Sequence, residues 1–411
     1  VDLNGDGDTD DSVAQVYDLR TGVTTNLGLY GRALDFDGHH MVFSVDESRQ
    51  GDVDLNGDGD ASDDVVVVYD TQTATLTNLG WAAGSVRYPG PYPRLYALDG
   101  NHLAFNVGEA DNANTDLNGD GDATDNVLHV IDLESGVTTN LGLAVLDYAV
   151  DRGRIALEVR EADQGGIDLN GDGIVSPCDR VLHLHDLVSH TTLNLQLSTA
   201  SDSLSAVDFA FVDDVIVVPA AERTLHDLNG DGDTSDYVLQ KVDMKGLITN
   251  TGVSATELVV SGHRVAFRVR EGHQGSTDLN GDGDIADYAM GIYDVRSDFL
   301  TILPYVAANL GFQLSDSHLA FHVSETNQGF QDLNGDGDTS DRVLHVHDFA
   351  QDATTNFGVH VSYLGSYLLD GDLLAFHVHE RSRGDLNGDG DASDSVVHVA
   401  TLRANPIPVS Y

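Results

Sequence analysis

The string DLNGDG occurs eight times in the 411 residues, beginning at Asp2, Asp54, Asp116, Asp168, Asp227, Asp278, Asp332 and Asp385. A unit that returns every 51 to 62 residues restricts the chain to a repeat architecture. Between the copies a second pattern recurs. Residues 126–143 read NVLHVIDLESGVTTNLGL, and residues 341–359 read DRVLHVHDFAQDATTNFGV. A variable stretch then closes on a turn such as Leu98-Asp99-Gly100, followed by HLAFNV or HLAFHV.

Each unit therefore holds four short apolar runs. In the second unit these are a strand a over Leu95–Leu98, b over His102–Val107, c over Val127–Ile131 and d over Thr138–Leu143. The runs are rich in Val, Leu, Phe, Tyr and Thr, alternate with polar residues as in Phe321-His322-Val323, and are punctuated by Gly and Asp, which is a strand signature. No segment carries a capped helical period. The chain is predicted to be all-β. One four-stranded sheet cannot bury both faces alone, and stacking such sheets radially protects their edges, so the pattern predicts a β-propeller of four-stranded blades spanning residues 1–411. Seven a–b pairs stand against eight c strands. The c–d pair near Val13–Leu29 lacks an a and b, and Ser395–Leu402 is a c strand with the tail to Tyr411 as a candidate d. Seven blades with unusual closure is the favoured reading. An eight-bladed ring lacks one a–b pair, and head-to-tail exchange between molecules is the third option.

These units resemble the blades of TolB-type and WD-repeat-like propellers, in which LDGxxLAF and VxVYDLxTGxxxNL runs recur. The resemblance covers nearly the whole chain and implies blades running from an inner strand a to an outer strand d. Many functions share it.

The acidic string extends to D-x-N-x-D-G-D-x-x-D. Its spacing is that of a calcium loop: oxygens at positions one, three and five turn inward, Gly at six permits the sharp turn, position seven offers a backbone carbonyl, and a later carboxylate closes the shell. The loop resembles those of EF-hands and dockerins and the calcium hairpins of integrin-like propellers. Position one is the Asp that opens each string. Position three is Asn4, Asn56, Asn118, Asn170, Asn229, Asn280, Asn334 and Asn387. Position five is Asp6, Asp58, Asp120, Asp172, Asp231, Asp282, Asp336 and Asp389, and position seven is Asp8, Asp60, Asp122, Ile174, Asp233, Asp284, Asp338 and Asp391. The closing acid sits at position ten as Asp11, Asp63, Asp125, Asp236, Asp287, Asp341 and Asp394. In the fourth loop Pro177-Cys178 moves it to Asp179, at position twelve. Solvated Asp-Gly turns are the plain alternative. Eight copies with ligand spacing, and carboxylates that repel one another without a counter-ion, favour up to eight Ca²⁺. Joining strand b to strand c, the loops should occupy one face. With no helix pair to open, the ions should be static braces. Sites of extracellular grade (Kd ~10⁻⁴–10⁻³ M) suit a calcium-rich exterior, so a secreted or cell-surface location is expected.

The net charge of −48 excludes a nucleic-acid surface and attraction to an anionic membrane. No apolar run approaches the ~20 residues of a membrane span, no signal peptide is visible at Val1, and the chain reads as a mature or trimmed form. One Cys excludes a disulfide scaffold, no N-x-[ST] sequon is present, and Cys178 reads as a tolerated loop substitution. Histidines gather on strands b and c: His129, His183, His185, His322, His345, His347, His377, His379 and His398. His-x-His on a strand puts both rings on one face, as a second metal would need, but Gln15, Asn106 and Gln240 take the same places, which favours hydrogen bonding between blades. An insertion over residues 81–96 carries Trp81, Arg87, Tyr88, Tyr92, Arg94 and Tyr96, suited to a protein or carbohydrate partner or to capping the ring. No G-x-S-x-G, P-loop or HExxH occurs. The expected function is a calcium-rigidified structural or adhesion-type binding module and not an enzyme. A head-to-tail filament or surface-layer subunit, and a propeller-type calcium-dependent hydrolase or lyase, are the alternatives.

Overall fold

The computed structural model describes residues 1–84, 96–199, 209–222, 227–307, 311–361, 367–380 and 384–402. The chain divides into two compact units, residues 1–201 and 202–411.

The first unit opens with a hairpin of β1 (Gln15–Asp18) and β2 (Val23–Asn26), which among the described residues pair only with each other. A four-stranded meander follows: β3 (Gly31–Asp37), β4 (His40–Asp46), β5 (Asp64–Asp70) and β6 (Thr75–Ala82). The next seven strands hydrogen-bond in chain order as one sheet: β7 (Tyr96–Asp99), β8 (His102–Gly108), β9 (Asn126–Asp132), β10 (Val137–Asp151), β11 (Arg154–Arg160), β12 (Arg180–Asp186) and β13 (Thr191–Ser198). They are two repeats joined through β10. Its first half pairs with β9 and its second half with β11, with register shifts between Asn140 and Ala144 and between Val145 and Asp147. Strand d of one repeat thus runs unbroken into strand a of the next, a continuity the sequence reading does not contain.

The second unit repeats the four-stranded antiparallel meander three times: β14 (Ala210–Val212) to β17 (Ile248–Ser254) through β15 (Val215–Ala221) and β16 (Tyr237–Asp243); β18 (Thr256–Ser261), β19 (Arg264–Arg270), β20 (Tyr288–Asp294) and β21 (Phe299–Val306); and β22 (Gln313–Leu314), β23 (His318–Ser324), β24 (Arg342–Asp348) and β25 (Ala353–His360). A three-stranded sheet of β26 (Tyr367–Asp370), β27 (Leu373–His379) and β28 (Ser395–Thr401) ends the described chain. Among the described residues seven a–b pairs and eight c strands are present, as the sequence pattern predicts.

Packing explains why strands b and c read as nearly continuous apolar runs. In β23 one face, with Leu319, Phe321 and Val323, meets the preceding sheet and the other, with Ala320, the following one, so both alternating sets are buried. Ala320, Leu344 and Val346 of one sheet close a core with Leu374, Phe376 and Val378 of the next. Leu128 and Val130 do the same with Ile155, Leu157 and Val159. The β1–β2 hairpin joins in: Ala14 and Val16 lie against Phe43, Val45, Val67 and Tyr69.

A bulge in strand d recurs with its own chemistry. Asn78, Asn140, Asn250 and Asn356 each accept through Oδ1 a hydrogen bond from the Gly two residues on, at 2.6–2.9 Å. Those glycines have φ of 63–70°, a conformation that costs glycine least. The register shifts of β6, β10, β17 and β25 fall there. In β13 Gln196 takes the same conformation at φ 55°.

Candidate metal centres

Every described acidic string lies between a strand b and a strand c, apart from the first, which precedes β1. Its position-one carboxylate folds the loop. Asp54 accepts the N–H of Gly57 at 2.6 Å through one oxygen and the N–H of Gly59 at 3.1 Å through the other. All eight loops repeat the pair, at 2.5–2.7 Å and 2.9–3.1 Å. The two glycines take φ of 82° and 109°, which a side chain would strain. Asn56 then accepts from Asp58 N–H, while its amide donates to Asp63 Oδ2 at 3.1 Å and to the carbonyl of Asp111, in the following repeat, at 2.9 Å. Asn4, Asn118 and Asn229 reach forward likewise, to the carbonyls of Arg49, Asp163 and His273.

The carboxylates that converge are those at positions seven and ten, joined by position five in the first and last loops. One oxygen each from Asp6, Asp8 and Asp11 lies within 4.8 Å of the others, as do oxygens of Asp60 with Asp63, of Asp122 with Asp125, and of Asp389 with Asp391 and Asp394. Position seven thus brings its side chain to the cluster, where the sequence pattern called only for its backbone carbonyl. The closing acids feel this crowding. Burial, with neighbouring carboxylates adding to it, pushes Asp63, Asp125 and Asp236 up to about 7 and Asp287 to about 6. Asp11 and Asp394 are raised chiefly by the hydrogen bonds they share with Asp6 and Asp389. Loop four differs: Ile174 is exposed, while Asn170 and Asp179 are buried.

A residue outside the string holds down every loop but the first. Glu47, Glu109, Glu161, Glu222, Glu271, Glu325 and Glu380 follow strand b in their repeats and are at most 2% exposed. Glu47 Oε1 accepts the N–H groups of Leu55 and Asn56 at 2.5 and 3.3 Å. The other six make the same pair of bonds. The Leu at position two is the loop's apolar anchor. Leu55, Leu117, Leu169, Leu279, Leu333 and Leu386 pack against the sheet cores, and the strand-d Asn donates to the carbonyl of Leu55, Leu117, Leu169, Leu228 and Leu333 at 2.7–2.8 Å.

Three residues after the glutamate, an amide binds the preceding repeat. Gln164 accepts from Ala144 N–H at 2.9 Å and donates to Gly142 O at 3.1 Å. Gln50 brackets Gly28 and Tyr30, Gln274 brackets Gly252 and Ser254, and Asn112 brackets Ala82. E-x-x-[QN] is therefore a hub: the acid holds its own loop and the amide holds the previous strand d. Sequence reasoning missed it, although Glu precedes the string's first Asp by seven residues in five repeats and by five in the other two. Gln164→Ala strands the buried Ala144 N–H and the half-buried Gly142 carbonyl and should cost about 1–3 kcal/mol. A urea midpoint unchanged from wild type would reject that role.

The histidines are hydrogen-bonded within their own sheets. Nδ1–H of His129, His183 and His345 donates to the carbonyl two residues earlier at 3.0–3.1 Å, and Gln240 sends Nε2 to Val238 O in the same way. An amide therefore replaces the imidazole. His185 and His347 reach Thr192 and Thr354 of strand d, and the strand-b ring of His322 bonds across sheets, to Tyr367. Burial lowers all six. Among the insertion residues, Trp81 lies in β6 with its ring 5.0 Å from His129, and Tyr96 is buried at the start of β7. Arg87, Tyr88, Tyr92 and Arg94 lie outside the described residues. Cys178 is exposed and free.

No family model matches the sequence, and no curated protein does. Solved structures similar to the chain include the β-propeller domain of the Trilobed protease from Pyrococcus furiosus, with an open velcro topology (9% identity, 93% of this chain and 98% of that one, TM-score 0.38). TolB from Acinetobacter baumannii is similar at 11% identity over 90% of this chain and 76% of that one, TM-score 0.30. Porphyromonas gingivalis dipeptidyl peptidase 4 is similar at 11% over 89% and 53%, TM-score 0.49. The expectation that the chain is not an enzyme is corrected here. Several of the similar structures are peptidases, so the fold gives no ground for that exclusion. The chain spans about half the length of those peptidases, and identities of 8–12% assign it no activity of theirs.

Proposed function

We propose that this chain is an extracellular, calcium-braced β-propeller of seven blades that serves as a structural or binding module. The supporting observation is the convergence of carboxylate oxygens at positions seven and ten within 4.8 Å, joined by position five in the first and last loops, in loops that hydrogen bonds tie to the fold. An all-oxygen, multiply charged donor set suits a hard cation that takes six to eight ligands, and calcium more than magnesium, which keeps its waters. The ions brace the repeats, because six loops are tied to their own strand d and four of the eight, through Asn4, Asn56, Asn118 and Asn229, to the repeat that follows. Asp58→Ala tests this. In calcium it should lose about 2.7 kcal/mol if free ion stands 100-fold above Kd, and in EDTA far less. Equal losses in the two buffers, read by thermal melts, would contradict the ion-binding role.

A second reading, a subunit that stacks on copies of itself, is favoured by the last sheet. Ala375, Val397 and Val399 hold the places of Ala320, Leu344 and Val346, yet Val397 and Val399 are 59% and 67% exposed. A second copy is the occupant this face fits, since its own repeats cover the matching face elsewhere. Light scattering in calcium that finds only monomer at high concentration removes this reading.

A further inference from the structure

We infer that the seven buried glutamates are themselves metal ligands, the carboxylates just after strand b that complete the sites of the second to eighth loops; this rests on the calcium reading above. Their first oxygen is committed to the loop backbone. The second divides them into two groups. In Glu47, Glu109 and Glu325 it accepts the closing Asp N–H at 3.0–3.2 Å. In Glu161, Glu222, Glu271 and Glu380 it is buried with no hydrogen-bond partner.

A buried carboxylate oxygen left without a donor is costly, and here the cost recurs in four repeats at one place. The neighbours raise it further, because they are acids. Glu380 brings an oxygen within 4.8 Å of those of Asp389, Asp391 and Asp394; Glu47 does so with Asp60 and Asp63, and Glu109 with Asp122 and Asp125. No arrangement of protein donors at these places answers that much negative charge, whereas one cation answers all of it. The spacing also fits. Oxygens at ~2.3–2.6 Å from one Ca²⁺ stand at most ~5 Å apart.

The assignment explains what the loop alone leaves open. A loop of this kind is ordinarily closed by an acid at position twelve, and seven of the eight strings have only an Asp at position ten. In six of those seven the glutamate supplies the missing charge from the end of strand b, the first string having no strand b before it, and in the fourth Glu161 adds to Asp179. The ion is thereby tied to a sheet and not only to an exposed turn. The residue is a ligand and a loop anchor at once, and the two roles separate on substitution: Gln keeps an oxygen for the Leu and Asn N–H groups but presents an amide NH₂ where a ligand oxygen is needed.

The experiment uses the full chain, wild type, Glu271→Gln and the quadruple variant E161Q/E222Q/E271Q/E380Q. Bound ions are counted by native mass spectrometry along a calcium chloride titration, with melting in EDTA as the control for folding. Glu271→Gln should carry one ion fewer than wild type where wild type is filled, and the quadruple variant four fewer, while the EDTA melts stay level or rise. Identical ion counts at every calcium concentration on wild type and Glu271→Gln overturn the glutamate assignment and leave the loop reading standing. A wild type that takes up no ions overturns the loop reading itself. Should the quadruple variant fail to fold, the single variant decides.

Discussion

Excess EDTA should lower the melting temperature of this protein by roughly 15–30 °C. The size follows from adding sites within one cooperative unit. At free calcium 100-fold above Kd each filled site contributes about 2.7 kcal/mol, so three of them supply ~8 kcal/mol, comparable with the entire 5–15 kcal/mol stability of an ordinary domain. For a cooperative unit of this size each kcal/mol moves the midpoint by about 2–4 °C. The architecture directs the loss inward. Leu55 and its counterparts lie against the sheet cores, and their N–H and C=O groups are bound to the buried glutamate and to the strand-d Asn. A loop expanded by unscreened carboxylates would pull on those three attachments. Calorimetry in calcium and in EDTA measures the difference, and superimposed melts in the two buffers would refute the bracing role.

The strand order was legible because its cause is local. Period-two alternation, Asp-Gly punctuation and a repeated string place β8 and β9 within a residue of their observed ends. Residues whose partners lie far along the chain were less legible. Glu109 bonds Leu117 eight residues on, which a fixed spacing could have revealed, but Gln164 bonds Ala144 of the preceding repeat, and only the packed sheets bring those together. The position-one Asp looked like a ligand and is seen capping two backbone N–H groups, since a carboxylate beside a glycine turn satisfies the nearest donors first. The run of β10 through two repeats escaped the sequence reading for another reason: the turn expected between strands d and a is replaced by register shifts, which leave no Gly-Pro punctuation behind.

Acid should weaken the fold through its histidines. Burial, with Arg342 and Arg268 adding their positive charge, lowers His322 to about 4 in the folded protein, against an ordinary value of ~6.5. Above pH 6.5 the ring is neutral in both states and stability is unaffected. Between 6.5 and 4 the unfolded chain takes up a proton that the folded chain refuses, so stability falls as pH falls and levels off once the folded ring also titrates. Each pH unit in that window costs up to about 1.4 kcal/mol, or ~3 kcal/mol over its width. His129, His183, His185, His345 and His347 are displaced in the same direction and steepen the slope. His322→Asn isolates one share of it, because β8 carries Asn106 at the matching place, with its amide bonded to Val145 O of the following repeat. Denaturation at pH 7, 5.5 and 4 should show wild type losing about 3 kcal/mol more than the variant across the series. Parallel profiles for the two proteins would mean that this ring is protonated without opening the core, and that acid acts elsewhere.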